Sequence, residues 1–291
     1  MHWTRQAYLT MIPAYPMGYL LINGFRGDQP WTKLYVERSN VEANSLLKDL
    51  VESELDHVHT SKAVKTLVTI TDELEPKVYG ALFLNPGAEL QFPLRVSFED
   101  VEQARRLSAN IELDLGLQKY RKKIETRTQI GDELISRMML SDVAKKFIIQ
   151  RQLQIANSGQ FFCMPILSWV GITTACYGIV LGVSGVAGPI VGMISGLGVS
   201  VLSFYQFIKG YNGYITKKAD EMTIDLGEEY EKGAQDYLTS TMKYTRLLRR
   251  VLGEEGERNI STGGDIRFEN PTYSERLRNI DLHIRQRKLK N

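Results

Sequence analysis

The sequence predicts a mainly α membrane protein with an N-terminal anchor, a two-helix transmembrane hairpin, a small α+β soluble domain and a helical C-terminal region. The first reason is that 57 consecutive residues between Arg151 and Lys209 are uncharged, although 24% of the 291-residue chain is charged. The second reason is that strand-like and amphipathic helical patterns fill the segments on both sides of that run. We therefore divide the chain into residues 1–25, 26–150, 151–210 and 211–291.

The N-terminal segment Tyr8–Phe25 contains 18 uncharged residues between Arg5 and Arg26. Pro13 and Pro16 lie inside it and favour a kink. The segment lacks the small-residue cleavage site of a secretory signal. We interpret it as an uncleaved membrane anchor, and a segment lying in the membrane interface is the alternative.

The region 26–150 begins with Ser39-x-x-Glu42, which has the form of a capping box and predicts the start of a helix. Three strand-like runs follow, and they suggest a small antiparallel sheet. These runs are Val64–Thr71, Val78–Leu84 and Leu90–Val96.

The rest of this region has helical patterns. Residues Asp100–Lys123 are rich in Glu, Arg, Gln and Leu, which favours a helix. Ser141 is a candidate N-cap for a further helix, and we expect that helix to run directly into the first membrane span.

The uncharged run is long enough for two helices, because each crossing of the hydrocarbon core requires about 20 apolar residues. We place the spans at Phe161–Leu181 and Pro189–Ile208, with residues 182–188 as the turn. Small residues spaced by four allow helices to approach closely in lipid. We therefore predict helix packing at the glycines Gly185, Gly188, Gly192 and Gly196.

Two other interpretations of this glycine-rich run are possible. A phosphate-binding loop is disfavoured because no Lys-Ser/Thr pair follows the last glycine and no acidic residue lies in the next 20 positions. A buried helical pair inside a soluble fold remains as the alternative, because hydroxyl side chains dilute the hydrophobicity of both spans.

After the hairpin, Asp220–Gly253 has the pattern of one long amphipathic helix. The tail Ser274–Asn291 is basic and suits either anionic lipid or an acidic subunit surface. A solvated helix face explains the same tail equally well.

Few residues suggest chemistry. His57 and His59 fall on one face of a strand and are weak candidates for a metal site, with surface histidines as the alternative. Cys163 and Cys176 lie about 20 Å apart along one helix and therefore cannot bridge each other. No catalytic motif appears, so we expect no enzyme activity and no cofactor. The net charge of +2 gives no reason to expect a nucleic-acid partner.

Several segments together resemble the transmembrane protein 177 family. They are residues 140–158, the glycine-rich hairpin and residues 230–267. The most specific part is a leucine and glycine motif near the C-terminus, followed by a Gly-Asp-Ile triplet. Its residues are Leu252, Gly253, Gly256, Glu257, Gly264, Asp265 and Ile266. The resemblance covers residues 140–270 well, and the N-terminal half matches in layout.

This resemblance implies a multi-pass protein of the mitochondrial inner membrane without catalytic activity. It further implies that the protein associates with newly made cytochrome c oxidase subunit II and with the assembly chaperone of that subunit. The protein would help to stabilise subunit II before copper insertion. A stoichiometric structural subunit or tether of a respiratory-chain complex is the alternative. In either case we expect the lipid bilayer to surround the spans.

Charge predicts the orientation of the hairpin. Its open end is flanked by basic residues, and its turn has none. These residues are Lys145, Lys146, Arg151, Lys209, Lys217 and Lys218. The positive-inside rule therefore favours both charged regions on the matrix side, with the short N-terminus facing the intermembrane space.

Overall fold

The computed structural model describes residues 2–35, 41–58, 64–71, 73–108, 112–113, 122–123 and 128–290. Its helices are α1 (His2–Asn23), α2 (Pro30–Tyr35), α3 (Ser45–Leu55), α4 (Val101–Ser108), α5 (Gln129–Met138), α6 (Asp142–Ser158), α7 (Gln160–Ala187), α8 (Pro189–Ile224), α9 (Glu228–Leu252), α10 (Glu254–Asn259) and α11 (Tyr273–Lys290). Its strands are β1 (Val41–Glu42), β2 (Thr66–Thr71), β3 (Lys77–Gly80), β4 (Ala88–Pro93), β5 (Glu112–Leu113) and β6 (Lys122–Lys123). The predicted mainly α class with a small sheet is confirmed.

The hairpin is formed by α7 and α8, and its turn is much shorter than predicted. Helix α7 continues to Ala187, and Gly188 alone separates it from Pro189 at the start of α8. Gly188 has φ 93°, which favours glycine, and Pro189 needs no backbone donor in the first turn of a helix. The predicted seven-residue turn was wrong because its small residues are compatible with a helix.

By length and composition, α7 and α8 are the two helices of the described chain that can cross a membrane. Only 22% of the most apolar window of α7 and 17% of that of α8 are buried. The core helices of a soluble protein would be mostly covered by their neighbours. This exposure favours the membrane hairpin over the buried helical pair.

Helix α1 lies in the groove between the two spans and runs antiparallel to α7. Near its start, the Tyr8 hydroxyl group bonds to the backbone oxygen of Thr173. Near its end, the Tyr19 hydroxyl group bonds to the backbone oxygen of Phe161. The predicted anchor is therefore a helix of 22 residues that packs on the hairpin.

Helix α8 extends well beyond the predicted second span. It continues past Lys209 to Ile224, and its last turns pack on the soluble part of the protein through Ile215 and Ala219. Because charged side chains do not break a helix, the end of the uncharged run does not mark the end of α8. The predicted helix Asp220–Gly253 is consequently divided between the end of α8 and α9.

The sheet is mixed, and the antiparallel prediction was wrong. Its strand order is β1-β2-β4-β3, with β2 and β4 parallel and the other pairs antiparallel. All six residues of β4 are buried, so this strand takes a central place with neighbours on both edges. Periodicity identifies a strand but does not specify which strand lies beside it.

The two charged regions share one hydrophobic core. The sheet contributes Leu90 and Phe92, α6 contributes Phe147, and α9 and α11 contribute Leu248 and Ile280. Helix α6 lies at the centre and is buried on most of its surface. The segments before and after the hairpin therefore fold together at its open end.

Several predicted boundaries differ from the structure. Ser141 caps α6 as predicted. We expected α6 and α7 to form one continuous helix, but Gly159 separates the two helices. Asn44 caps α3, whereas Glu42 of the predicted capping box lies in β1, and Ser39 lies outside the described residues. The predicted helix over 100–123 is wrong in part, because α4 ends at Ser108 and β5 and β6 follow.

Candidate functional site: the hairpin and its base

The inner face of the hairpin brings α7 and α8 into close contact at two of the predicted glycines. A Cβ atom at Gly192 would overlap the Oγ atom of Ser184. A Cβ atom at Gly196 would overlap Val180 and lie 3.3 Å from the ring of Tyr8. The distance between the two spans at these positions therefore requires glycine.

Polar side chains fasten α1 to this inner face. The Tyr8 hydroxyl group lies 2.8 Å from the backbone oxygen of Thr173 and 3.0 Å from the Oγ atom of Ser200. The indole nitrogen of Trp169 donates to the backbone oxygen of Ile12 at 3.1 Å. These bonds connect the three helices where hydrocarbon would offer no alternative partner.

The outer face of α7 carries a second row of small residues, which we call the outer stripe. It consists of Gly171, Thr174, Ala175, Gly178, Gly182 and Gly185, all of them exposed. At 100° per residue, this row points away from the buried row that runs from Trp169 to Ser184. A Cβ atom at any glycine of the outer stripe would meet no described atom within 4 Å. A transmembrane helix from another protein can therefore approach closely here.

The four predicted packing glycines thus have three different environments. Gly192 and Gly196 face α7, whereas Gly185 belongs to the outer stripe. Gly188 forms the turn, and a Cβ atom there would meet no described atom within 4 Å.

Three buried charged side chains join the elements at the open end of the hairpin, and we call them the base clamp. Asp220 of α8 accepts a hydrogen bond from the Nε atom of Arg151 at 2.7 Å. It also accepts bonds from Arg276 of α11 at 2.9 and 3.0 Å. Each of the three side chains is at most 6% exposed. Such multiply bonded pairs hold a fixed geometry, and the base clamp therefore couples α6, α8 and α11.

A cavity of about 480 Å³ opens beside the base clamp. Its walls come from the end of α1, the β3 edge of the sheet, α6, the start of α7, α8 and the loop before α11. Charged groups of both signs line it: Glu75, Lys77, Arg151, Glu269 and Arg276. Burial, and secondly the charge of Glu75, raise the pKa of Glu269 to about 8.

The C-terminal motif forms a turn that folds back onto α9. The Thr245 hydroxyl group donates to the backbone oxygen of Gly264, and Arg246 donates to that of Gly263 at 2.8 Å. Gly264 has φ 94°, and a Cβ atom there would overlap the backbone oxygen of Met242. The position therefore requires glycine for both conformation and space.

The other motif residues fix the course of the chain around that turn. Leu252 ends α9, Gly253 follows it, and Gly256 lies directly against the backbone of Arg249. Glu257 is exposed, and its carboxylate lies 3.8 Å from Arg249.

The last two motif residues connect the turn to α11. Ile266 is buried in the core and pairs with Ile260. Asp265 accepts bonds from the backbone nitrogen and the hydroxyl group of Ser274, both at 2.8 Å. Because Ser274 lies in the first turn of α11, this contact places the helix that carries Arg276 of the base clamp.

A comparison with protein-family models matches residues 5–281 to "Transmembrane protein 177". The chain belongs to the transmembrane protein 177 family. The match includes α1, the sheet, the hairpin and the C-terminal motif, so the family relationship extends beyond residues 140–270. The transmembrane protein 177 family is not a known enzyme family.

One relative in this family is "Transmembrane protein 177" of Xenopus laevis. It is 22% identical over 277 residues, which cover 91% of this chain and 86% of the relative. No solved structure matches this chain significantly. Family membership and the two apolar helices together support association with a membrane.

The histidine candidates receive no further support in this member of the transmembrane protein 177 family. His57 is exposed, and its Nδ1 atom lies 3.8 Å from the carboxylate of Glu54. His59 lies outside the described residues. Across the described part of the chain, no group of three His, Cys, Asp or Glu side chains could hold a metal ion.

Sequence reasoning missed the base clamp and the cavity. Their residues are far apart in the sequence and form no motif. One signal was present, because Asp220 lies on the same helical face as the buried Thr223 and Ile224. A carboxylate on a buried face requires a buried partner, which the sequence does not identify.

Proposed function

We propose that this protein is a non-catalytic assembly and stabilisation factor of the mitochondrial inner membrane. Its client is cytochrome c oxidase subunit II, held together with the assembly chaperone of that subunit. Membership of the transmembrane protein 177 family supports this role. The structural observation that carries the proposal is the outer stripe, which lies open on the surface of α7.

The outer stripe suits contact with a single transmembrane helix of the client. Lipid tails are as apolar as leucine, so helices associate in a bilayer mainly through close packing and hydrogen bonds. Glycines Gly171, Gly178 and Gly182 let the two backbones approach, and Thr174 offers a hydroxyl group in the same row. Such contacts are modest in strength, which suits transient holding of an unassembled subunit.

The soluble part holds the outer stripe in a defined position. The base clamp joins α8 to α6 and α11, and the core behind it unites both charged regions. The basic residues Lys145, Lys146 and Lys209 near this end favour its placement on the matrix side by the positive-inside rule. A client helix on α7 would then extend its matrix-side segment towards the soluble part.

The test is a mild-detergent pull-down of the tagged full-length protein from mitochondria, with quantitative mass spectrometry. We expect enrichment of unassembled subunit II and its chaperone. Gly182→Leu is expected to lower their recovery several-fold, because a leucine separates the backbones. Gly198→Leu is the matched control, since Gly198 is an exposed glycine of α8 and a Cβ atom there also meets no described atom within 4 Å.

Three outcomes separate the possible roles. Loss of subunit II in Gly182→Leu but not in Gly198→Leu supports the proposal. Recovery of a complete respiratory complex in equal stoichiometry identifies a structural subunit or tether instead. Recovery of neither subunit II nor its chaperone with the unmodified protein rejects the assembly role.

A further inference from the structure

The cavity beside the base clamp lies at the depth of lipid headgroups. The uncharged run ends at Arg151 and Lys209, and Arg151 itself lines the cavity. On α8 the lining begins at Asn212, three residues beyond Lys209, which is about 4.5 Å along the helix. The headgroup layer on each side of the hydrocarbon core is about 5–8 Å thick. The cavity therefore opens at the boundary between the hydrocarbon and the soluble part.

Three positively charged side chains line the cavity. Arg151 and Arg276 bind Asp220, and both also line the cavity. Lys77 lies at the edge of the sheet and pairs with the half-buried Glu73. A phosphate group entering here would meet two guanidinium groups and an ammonium group, which are its usual partners in proteins.

Glu75 is the main negatively charged residue that lines the cavity. Its Oε2 atom lies 3.7 Å from Arg276, and its side chain is 27% exposed, whereas its Oε1 atom is fully buried and interacts with the hydroxyl group of Tyr273. A carboxylate oxygen has two lone pairs, so the exposed part of Glu75 can accept a further hydrogen bond from a group in the cavity. Glu269 also lines the cavity, and its raised pKa of about 8 leaves it largely protonated at neutral pH. Glu75 is therefore the acceptor that the cavity offers to an ammonium group.

We propose that this cavity binds the headgroup of an aminophospholipid. The phosphate lies on the side of Arg151, Arg276 and Lys77, and the ammonium group donates to Glu75. Phe161, at the start of α7, lines the side from which the acyl chains continue into the hydrocarbon. A cavity of about 480 Å³ falls within the range of small-molecule sites.

The paired charges predict a specific order among lipid headgroups. Phosphatidylglycerol has the phosphate but no ammonium group, and it would offer Glu75 only neutral hydroxyl donors. Phosphatidylcholine has a cation but no N–H group, so it cannot donate a hydrogen bond to the carboxylate of Glu75. Phosphatidylethanolamine supplies both groups. This site is independent of the outer stripe and of the proposed role in oxidase assembly.

The experiment places the full-length protein in nanodiscs that contain equal amounts of dioleoyl phosphatidylethanolamine, phosphatidylglycerol and phosphatidylcholine. The protein is then extracted in mild detergent, and the retained lipids are counted by native mass spectrometry. We expect one phosphatidylethanolamine per chain, retained about tenfold over either competitor, as is typical for one charge-assisted hydrogen bond. Glu75→Gln should remove this preference. Lys77→Gln should lower the retention of all three lipids, because each of them has a phosphate group.

Matched variants and a soluble competitor make the result decisive. Glu52→Gln alters an exposed carboxylate on α3 and should leave retention unchanged. The proposal is overturned if Glu75→Gln retains as much phosphatidylethanolamine as the unmodified protein. A preference of the unmodified protein for phosphatidylglycerol also overturns it. Displacement of the lipid by an equal concentration of glycerophosphoethanolamine would show that the site serves a free phosphoamine rather than a lipid, which also overturns it.

A second variant covers the case in which Glu75→Gln does not fold. Thr216→Phe inserts a ring from α8 into the cavity without altering any charged group. We expect it to lose the bound lipid while it still unfolds cooperatively. Retention of phosphatidylethanolamine by folded Thr216→Phe would refute the assignment of the lipid to this cavity.

Discussion

Asp220 of α8 lies 2.7 Å from the Nε atom of Arg151 on α6, although 69 positions separate the two residues in the sequence. Most of the intervening chain forms the hairpin, so this pair closes the hairpin at its base. The helices that enter and leave the membrane are thereby fixed to each other, and Arg276 adds α11 to the same point. The orientation of the spans and the packing of the soluble core are therefore coupled.

Asp220→Asn should destabilise the protein strongly, because it leaves two buried guanidinium groups without their carboxylate. Breaking a buried ion pair by removing one partner costs about 3–5 kcal/mol. We expect a clearly lower midpoint in thermal unfolding of the detergent-solubilised protein. Asp49→Asn on the exposed face of α3 is the control, and an equal midpoint for both variants would contradict a central role of the base clamp.

Tyr8→Phe removes the hydroxyl group that connects α1 to α7 and α8. Hydrogen bonds between membrane helices contribute about 0.6 kcal/mol on average and at most about 1.7 kcal/mol. We expect a loss in this range in reversible unfolding in bicelles. Tyr205→Phe on the exposed face of α8 should change stability by much less. Equal effects of the two variants would show that the Tyr8 hydroxyl group does not hold α1 in place.

Gly196→Leu tests the close approach of the two spans. A leucine here overlaps Val180 and Tyr8, and overpacking of this kind costs about 1–3 kcal/mol. We expect a lower unfolding midpoint and easier proteolysis at the hairpin. Gly198→Leu, two residues along the same helix, meets open space and should behave like the unmodified protein. A stable Gly196→Leu protein would mean that the spans separate without cost.

Glu269 predicts a pH dependence of stability with a definite sign. Its pKa rises from the ordinary 4.5 to about 8 on folding, chiefly through burial, so the folded state binds this proton more tightly. The free energy of unfolding should therefore fall as the pH rises from about 4.5 to about 8 and should level off above that range.

The measurement for Glu269 is the unfolding midpoint between pH 6 and pH 9. Glu269→Gln should show a smaller decrease than the unmodified protein, because its side chain has no proton to lose. Glu254→Gln changes an exposed carboxyl group and should keep the full decrease. An identical pH profile for Glu269→Gln and the unmodified protein would contradict the raised pKa.

Local signals in the sequence predicted several elements correctly. The cap at Ser141 depends on one side chain and the backbone three residues later, so the sequence contains all the information it needs. The spans depend on composition over about 20 residues, which is also local. The boundaries were less reliable at 182–188 and at Lys209, because small or charged residues are compatible with a continuing helix.

The candidate sites were predicted less well, because they depend on contacts between distant segments. The glycine spacing predicts close packing, but it does not say which glycines face α7 and which face outward. The strand patterns likewise do not determine that β4 lies between β2 and β3. Each of these outcomes depends on how complete elements rotate and pack against one another.

The sequence by itself determined that this protein has a two-span hairpin between two charged regions, and its C-terminal motif indicated the transmembrane protein 177 family. These properties are encoded in continuous stretches, since the hydrocarbon core excludes charge from any residue that crosses it. Only the tertiary structure decided that the charged regions share one core, that Asp220 meets Arg151 and Arg276, and that a cavity opens beside them. A buried charge requires a partner, but every residue of opposite charge is a candidate until folding brings one of them within hydrogen-bonding distance.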